Sequence, residues 1–164
     1  MHSHSVPITV RPMRHDEGPT FLDVVTRAIR GLATSHYAPE VVEGWVPSST
    51  AESLEAFALN PDRELRLVAE LDGAVVGIGA LIVEKSELRA CYVLPSAVRR
   101  GVGSALVGEI ERIARTRGLA RLDLAASLNA EPFYAFRGYQ VRERSEVTLA
   151  NGHRMPCVWM GKHL

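Results

Sequence analysis

The chain has 164 residues, and its 19 basic residues balance 19 acidic ones, so the formal net charge is zero. This balance gives no electrostatic reason to expect nucleic acid or an anionic membrane surface as a partner. The hydrophobic content of 46% lets a chain of this length bury the core of one domain. We therefore expect a single domain over residues 1–164, with its core at about residues 8–164.

The sequence also allows predictions about cellular location, disulfides and metal binding. Residues 1–6 have neither the basic nor the apolar stretch of a secretory signal. No unbroken apolar run approaches the roughly 18 residues that a membrane-spanning helix needs. Cys91 and Cys157 lie in apolar, strand-like segments, which favours reduced core thiols over a disulfide. The 6 histidines are scattered without ligand spacing, so we expect no metal site. The lack of a signal and of a membrane span, together with reduced thiols, predicts a cytoplasmic protein.

The first part of the chain reads as a strand followed by three helices. Residues 8–11 alternate between apolar and polar types, which predicts a short strand ending at Pro12. Apolar residues then recur at helical spacing from about residue 15 to residue 35. Pro39 can open a second short helix that runs to Trp45. Ser49 or Thr50 can cap a third helix through residue 59.

Three strands are predicted next. Residues 65–71 and 74–83 are joined by Asp72-Gly73, which is the strongest short signal for a hairpin. The third strand covers residues 86–94 and runs antiparallel to the second, and Pro95 ends it.

A short basic loop follows this strand and leads directly into a helix over residues 104–117, which Gly118 ends. The unpaired amides and the dipole of a helix N-terminus favour an anion. Gly101 and Gly103 let a phosphate approach the backbone closely, and Arg99 and Arg100 add donors suited to phosphate. The segment therefore predicts a site for a pyrophosphate-bearing cofactor.

Two nucleotide-binding motifs do not fit this loop. A dinucleotide fingerprint needs a third glycine where Leu106 stands. A phosphate-binding loop of the Walker type needs Gly-Lys followed by Ser or Thr, and the only lysines are Lys85 and Lys162. The cofactor is therefore expected to be of another kind.

The remaining elements complete a mixed sheet. Residues 119–126 form a strand parallel to the one before the long helix, because a helical crossover joins them. Residues 130–137 form a short helix closed by Gly138. Two final strands flank Asn151-Gly152, for which we expect a two-residue turn.

Two segments resemble motifs of the GNAT superfamily of N-acetyltransferases. Val98-Arg99-Arg100-Gly101-Val102-Gly103 is similar to the family's loop Gln/Arg-x-x-Gly-x-Gly/Ala, with Val98 departing at the first position. Asn129-Ala130 with Phe133-Tyr134 and Gly138-Tyr139 is similar to the later motif Asn-Ala-x-x-Phe-Tyr-x-x-x-Gly-Phe/Tyr. The two segments also follow the family's order, with one helix and one strand between them.

The resemblance implies an α/β fold over essentially the whole chain. It is a mixed sheet, mostly antiparallel, with a central parallel strand pair and helices on both faces. It also implies acetyl-CoA as co-substrate, with no metal. Main-chain groups of Tyr92 and Val93 would pair with the pantetheine arm, and Asn129 would contact the coenzyme unless it only caps a helix. The pyrophosphate would lie on the loop residues Arg99, Arg100, Gly101, Val102, Gly103 and Ser104.

For catalysis, the resemblance implies direct attack of an amine on the thioester in a ternary complex. Tyr134 would protonate the departing thiolate. Glu87 is the first candidate for the general base, with Glu84 and His36 as weaker ones. The acceptor pocket would lie near His36 and Trp45, where aromatic walls suit an acceptor with an apolar part, although ordinary helix packing explains these residues equally well.

The resemblance leaves the acceptor open between a small-molecule amine and a peptide amine, and it allows a homodimer. A second hypothesis stays open as well, since Val98 departs from the motif and no general base is evident in the sequence. This alternative is a non-catalytic acyl-CoA-binding or sensory module on the same fold.

Overall fold

A computed structural model describes residues 6–164. Most of the segment on which the expectation of no secretory signal rests, residues 1–5, lies outside the described residues. The strands are β1 (Ile8–Pro12), β2 (Leu65–Leu71), β3 (Ala74–Ile82), β4 (Glu87–Val93), β5 (Arg121–Ser127), β6 (Gln140–Thr148) and β7 (Arg154–His163). The helices are α1 (Gly18–Leu32), α2 (Pro39–Trp45), α3 (Ala51–Leu59), α4 (Val102–Thr116) and α5 (Glu131–Phe136).

The strands form one sheet in the order β1-β2-β3-β4-β5-β7-β6. Only the central pair, β4 with β5, is parallel among the described strands, and every other neighbouring pair is antiparallel. This arrangement confirms the predicted fold, a mixed sheet with a central parallel pair and with helices packed on it.

The two long helices bury the apolar stripes that their sequences carry. In α1 the buried residues include Phe21, Val24 and Ile29, and in α4 they include Leu106 and Ile110. These positions recur at three- and four-residue spacing, so each helix presents one apolar face to the sheet.

Two glycines of β3 let α4 approach the sheet closely. A β-carbon at Gly77 would lie 2.8 Å from a side-chain carbon of Val102, and one at Gly79 would lie 3.0 Å from Ile110. Larger residues at these positions would push the helix away from the sheet. The glycines therefore help to place the first turn of α4 beside the end of β4.

Several local predictions are confirmed by the backbone. Asp72 and Gly73 have φ angles of 55° and 76°, the left-handed pair that a two-residue hairpin turn requires. The Thr50 hydroxyl accepts a hydrogen bond from the Ser53 amide over 3.2 Å, so Thr50 is the cap of α3. Gly118, with φ 79°, lies directly after α4 and its C-cap.

Several predicted boundaries are wrong, and among them β5 begins at Arg121 rather than at residue 119. Helix α4 begins at Val102 rather than at Ser104, because Gly101 already occupies the N-cap. The turn between β6 and β7 has three residues rather than two. The Leu149 amide donates to the carbonyl oxygen of His153 over 2.8 Å, so these two residues close the ladder around residues 150–152. Gly152 then supplies the left-handed position of a three-residue hairpin loop.

Candidate functional site

Strands β4 and β5 separate soon after they meet. Their register contains a single pair, Glu87 with Asp123, and the Asp123 amide donates to the Ser86 carbonyl oxygen over 2.9 Å. Because parallel strands that stay together form a continuous ladder, a single pair means that β4 and β5 diverge beyond this point. The edge of β4 that faces β5 is therefore left without strand partners toward Val93.

The backbone groups that face this opening follow from the register with β3. The Leu94 amide donates to the Val76 carbonyl oxygen of β3 over 2.8 Å. Amide directions alternate along a strand, so the backbone groups of Tyr92 also point toward β3, and those of Cys91 and Val93 point into the opening. The prediction for the Val93 backbone agrees with this geometry. The Tyr92 backbone faces β3 in this register, and Tyr92 lines the cavity described below.

The loop after β4 exposes the first amides of α4. Arg99 and Gly101 both have left-handed backbones, with φ of 63° and 86°. The Ala105 amide donates to the Gly101 carbonyl oxygen over 3.0 Å, and no side chain caps the helix. The amides that precede this bond, at Val102, Gly103 and Ser104, have no partner within the helix. They form an anion cradle at the end of the β4–β5 opening.

A cavity of about 520 Å³ connects the opening with this cradle, and we call it the coenzyme cavity. It lies between α1, β4, α4 and α5. Arg100 and Glu87, which were predicted site residues, are not among the residues that line it. The predicted residues that do line it are Tyr92, Val93, Arg99, Gly101, Val102, Gly103, Ser104, Asn129 and Tyr134.

Asn129 lines the coenzyme cavity with an unsatisfied acceptor. Its Oδ1 atom is buried and has no hydrogen-bond partner, although buried polar atoms are almost always paired. The N-cap of α5 is Ala130, and no side chain caps that helix, so Asn129 does not act as a cap. The arrangement fits a ligand that brings a donor, such as the amide groups of a pantetheine arm.

Tyr134 lies on α5 at the inner end of the coenzyme cavity and is 6% exposed. Its ring meets those of Phe133 and Tyr139 at centroid distances of 5.2 Å and 5.7 Å. Burial raises the pKa of the Tyr134 hydroxyl well above 10, and the nearby Cys91, Tyr92 and Tyr139 raise it further. The phenol therefore remains protonated across the physiological range and can act as a proton donor.

Cys91 also lines the coenzyme cavity, beside the first turn of α4. Its thiol lies 4.0 Å from the carbonyl oxygen of Gly103, to which it donates. Burial raises the pKa of this thiol to about 12. Because the thiolate is the nucleophilic form, a covalent role for Cys91 is not supported. Neither Cys91 nor Cys157 forms a disulfide.

A second, smaller cavity of about 170 Å³ meets the coenzyme cavity across the divergence of β4 and β5. We call it the inner cavity. Tyr134 lines both cavities and so lies where they meet. The residues that line both are Trp45, Cys91, Tyr92, Ser127, Ala130 and Tyr134. Sequence reasoning missed the part of this cavity formed by β7, since nothing local indicates that Met155 and Cys157 approach β4.

The predicted bases lie in different places. Glu87 is at the closed end of the β4–β5 pair, where Arg89 donates to its carboxylate over 3.3 Å, and it lines neither of these two cavities. Glu84 forms an exposed ion pair with Arg63 at 3.3 Å. His36 does line the coenzyme cavity, with its Nδ1 atom 2.9 Å from the Ser35 hydroxyl. The structure thus brings His36 to the site and leaves both glutamates outside it.

Comparison with known proteins identifies the family. A family model described as the acetyltransferase (GNAT) family matches residues 30–139, which is more than half of the chain. The structure is also similar to that of a GCN5-related N-acetyltransferase from Rhodopseudomonas palustris, with 30% identity, a TM-score of 0.89 and coverage of 100% of both chains. The chain therefore belongs to the GNAT acetyltransferase family.

Two more distant structures share the fold. One is the PaiA N-acetyltransferase from Thermoplasma acidophilum in complex with coenzyme A, at 20% identity and a TM-score of 0.76, covering 96% of this chain and 99% of that one. The other is YncA from Salmonella typhimurium with acetyl-CoA, at 18% identity and a TM-score of 0.69, covering 96% and 94%. At these identities the likeness shows the fold alone.

Two further findings concern membrane crossing and metal binding in residues 6–164, the part of the chain that the structure describes. No helix there combines the length and the apolar character that a membrane crossing requires. No group of three His, Cys, Asp or Glu side chains in the same residues is arranged to hold a metal ion.

Proposed function

We propose that the protein is an N-acetyltransferase that moves the acetyl group of acetyl-CoA to a primary amine by direct attack in a ternary complex. The observation that supports this most strongly is the position of Tyr134. Its side chain lies where the coenzyme cavity meets the inner cavity, beside the gap between β4 and β5. Two substrates that enter from the two sides would meet at this residue.

The residues of the coenzyme cavity fit coenzyme A. The amides of Val102, Gly103 and Ser104 would hold its pyrophosphate, and Arg99 would add a positive charge. The carbonyl oxygen of Val93 would accept a hydrogen bond from the pantetheine arm, and Asn129 would accept another. The PaiA structure holds coenzyme A and the YncA structure holds acetyl-CoA on the same fold, which supports this assignment.

The bound coenzyme supplies the thioester carbonyl carbon that the amine attacks. The Val93 amide points into the opening and would stabilise the negative charge on the carbonyl oxygen, a donor whose loss costs about 2.7–4 kcal/mol in comparable sites. The Tyr134 hydroxyl would give its proton to the departing sulfur. Its raised pKa keeps the phenol protonated at neutral pH, so a proton is present when negative charge develops on the sulfur.

Deprotonation of the amine does not need a carboxylate in this site. None of the described residues lining the inner cavity is Asp, Glu or His. Burial in an apolar cavity disfavours the charged form of an amine, so the cavity itself would select the neutral, nucleophilic form. His36 in the coenzyme cavity is the remaining candidate for accepting the proton, whereas the structure gives Glu87 no such position.

The test is a comparison of Tyr134→Phe with Tyr139→Phe. Both changes remove one hydroxyl from the same aromatic cluster, but Tyr139 lines neither the coenzyme cavity nor the inner cavity. We expect Tyr134→Phe to lower kcat by about 100-fold with unchanged affinity for CoA. Tyr139→Phe should keep kcat near that of the wild type. Equal kcat values for Tyr134→Phe and the wild type would refute the proposed role of Tyr134.

The second candidate function is a non-catalytic acyl-CoA-binding or sensory module. It is favoured by Val98 at the first motif position and by the absence of an acidic or histidine side chain among the described residues of the inner cavity. This alternative requires CoA binding without thiol release on any amine. The cytoplasmic location and the homodimer stay predictions from the sequence.

A further inference from the structure

The inner cavity shows which class of amine the site accepts, and this inference rests on the proposed acetyltransferase function. Its walls come from α2, α5, the strands β4, β5, β6 and β7, and the segment that joins β6 to β7. Most of its lining is aliphatic, aromatic or thiol in character, including Trp45, Leu88, Tyr92, Leu149, Met155 and Cys157. Leu88, Met155 and Cys157 are each no more than 5% exposed. An occupant therefore meets apolar surface on most sides.

The volume suits a group of about one ring or one branched chain. An apolar cavity of about 150 Å³ is large enough to hold benzene, and the inner cavity measures about 170 Å³. A sugar-based antibiotic or an extended peptide would place only a small part of itself in this space.

Helix α2 and the turn after β6, which both contribute a residue to the inner cavity or lie next to one, are joined by a direct contact. The Asn151 side chain donates to the Glu40 carbonyl oxygen over 2.9 Å. The contact is so close that a β-carbon at Gly44 would lie 2.3 Å from atoms of Asn151. Trp45, which follows Gly44, packs its ring 6.1 Å from that of Tyr92. These contacts fix the position of the Trp45 ring in the wall of the inner cavity.

One charged side chain, Arg89, lines the inner cavity. Its guanidinium donates to Glu87 at 3.3 Å and lies 3.9 Å from Glu64, so its charge is already compensated. Neither glutamate lines the cavity. A substrate with several ammonium groups, such as a polyamine, therefore finds no carboxylate on the cavity wall to pair with.

We propose that the acceptor is a small primary amine that carries one compact apolar group, of the arylalkylamine or branched alkylamine class. The apolar group lies against Leu149, Met155 and Trp45, and the amine points toward Tyr134. Leu149 and Met155 would determine this specificity, since they line the inner cavity and not the coenzyme cavity.

The test measures kcat/KM for phenylethylamine, isopentylamine, diaminopentane, spermidine and a tripeptide with a free N-terminus, using thiol release from acetyl-CoA. We expect the first two amines to exceed the others by at least about tenfold. Calorimetric titration of each amine into the protein saturated with CoA gives a second readout that does not depend on turnover. A higher kcat/KM for spermidine or the tripeptide would overturn the proposal while leaving acetyl transfer intact.

A substitution that is expected to change the preferred amine provides a second test. Leu149→Asp places a carboxylate in the wall, and Val141→Asp on β6 is the matched control, because Val141 is 46% exposed and does not line the cavity. Leu149→Asp should lower kcat/KM for phenylethylamine by at least about tenfold and raise that for diaminopentane. Val141→Asp should leave both values unchanged. An unchanged preference in a folded Leu149→Asp protein would contradict the proposal.

Absence of acetyl transfer and absence of the proposed amine preference give different results in these experiments. If CoA binds and no amine releases thiol, the acetyltransferase proposal is wrong, and the titrations still decide which amine the cavity prefers. Tighter binding of spermidine than of phenylethylamine would then reject the apolar class. Tighter binding of phenylethylamine would support it as the ligand class of a sensor.

Discussion

The Tyr37 hydroxyl donates a hydrogen bond to the Pro156 carbonyl oxygen over 2.6 Å. The hydroxyl oxygen of Tyr37 in turn accepts a hydrogen bond from the Leu128 amide over 2.8 Å. One side chain thus joins the segment after α1 to the ends of β5 and β7. These ends lie next to the divergence of β4 and β5, so Tyr37 holds the wall of the acceptor side in place.

Tyr37→Phe removes both hydrogen bonds and keeps the ring, which lies 5.9 Å from that of Trp45. We expect the free energy of unfolding to fall by about 1–2 kcal/mol, because the Pro156 carbonyl and the Leu128 amide lose their partner. KM for the amine should rise, since Trp45 is no longer held by an anchored segment. Urea unfolding and steady-state kinetics check both effects, and unchanged values would show that the two bonds contribute nothing.

Gly101 and Gly118 provide a matched pair for testing the anion cradle. Both have left-handed backbones, with φ of 86° and 79°, at opposite ends of α4. Alanine at either position should cost about 1 kcal/mol of stability. Only Gly101→Ala should also lower CoA affinity, by about tenfold, because the strain displaces the amides of the cradle. Calorimetric titration with CoA measures this affinity. An equal loss of CoA affinity in Gly118→Ala would contradict the assignment of the cradle.

Local patterns predicted those parts of the fold that neighbouring residues determine. The Asp72-Gly73 turn, the Thr50 cap and the Gly118 ending depend on a few adjacent residues, and all three are confirmed. Helix α4 was predicted two residues short, although Val102 belongs to the same buried apolar stripe as Leu106 and Ile110. The turn around Asn151 was predicted one residue short because Asn-Gly occurs in both two-residue and three-residue loops.

The site depended on contacts between distant residues, which local patterns do not reveal. The motif resemblance predicted the loop around Gly101 and the position of Tyr134. It did not predict that the Tyr92 backbone bonds to β3, since this depends on the register between two strands. Nor did it predict the inner cavity, where Met155 of β7 and Leu88 of β4 line the same space.

The pH dependence of turnover should have no alkaline limb from Tyr134. The active form of this phenol is the protonated one, and burial raises its pKa well above 10, so its proton remains in place as the pH rises. We expect kcat/KM to rise with pH up to the pKa of the amine itself and not to decline before about pH 10. A pH profile of phenylethylamine acetylation measures this. A decline centred near pH 8 would show that another group must be protonated.

Glu17 should make the stability of the fold sensitive to acid. Arg11 donates two hydrogen bonds of 2.8 Å to its carboxylate, and the Arg14 amide adds one of 2.7 Å. Together they lower the pKa of Glu17 from 4.5 to about 2. Because the folded-state pKa is the lower one, this contribution is complete above pH 4.5 and is lost as the pH falls toward 2.

Glu17→Gln should therefore lower the free energy of unfolding by about 1–2 kcal/mol at neutral pH, a modest value because the pair is partly exposed and Arg11 keeps Glu70 as a partner. The difference from the wild type should vanish near pH 2. Urea unfolding across the acid range checks this, with the exposed Glu55→Gln on α3 as the control. A difference that persists at pH 2 would indicate a packing effect rather than a charge effect.

The most direct measurement is a crystal structure of the protein with CoA bound. The account predicts that the pyrophosphate oxygens lie within about 3.2 Å of the amide nitrogens of Val102, Gly103 and Ser104. It also predicts that the pantetheine arm enters the gap between β4 and β5 and that the sulfur lies beside Tyr134. A CoA molecule bound outside this gap, or no binding at millimolar CoA, would contradict it.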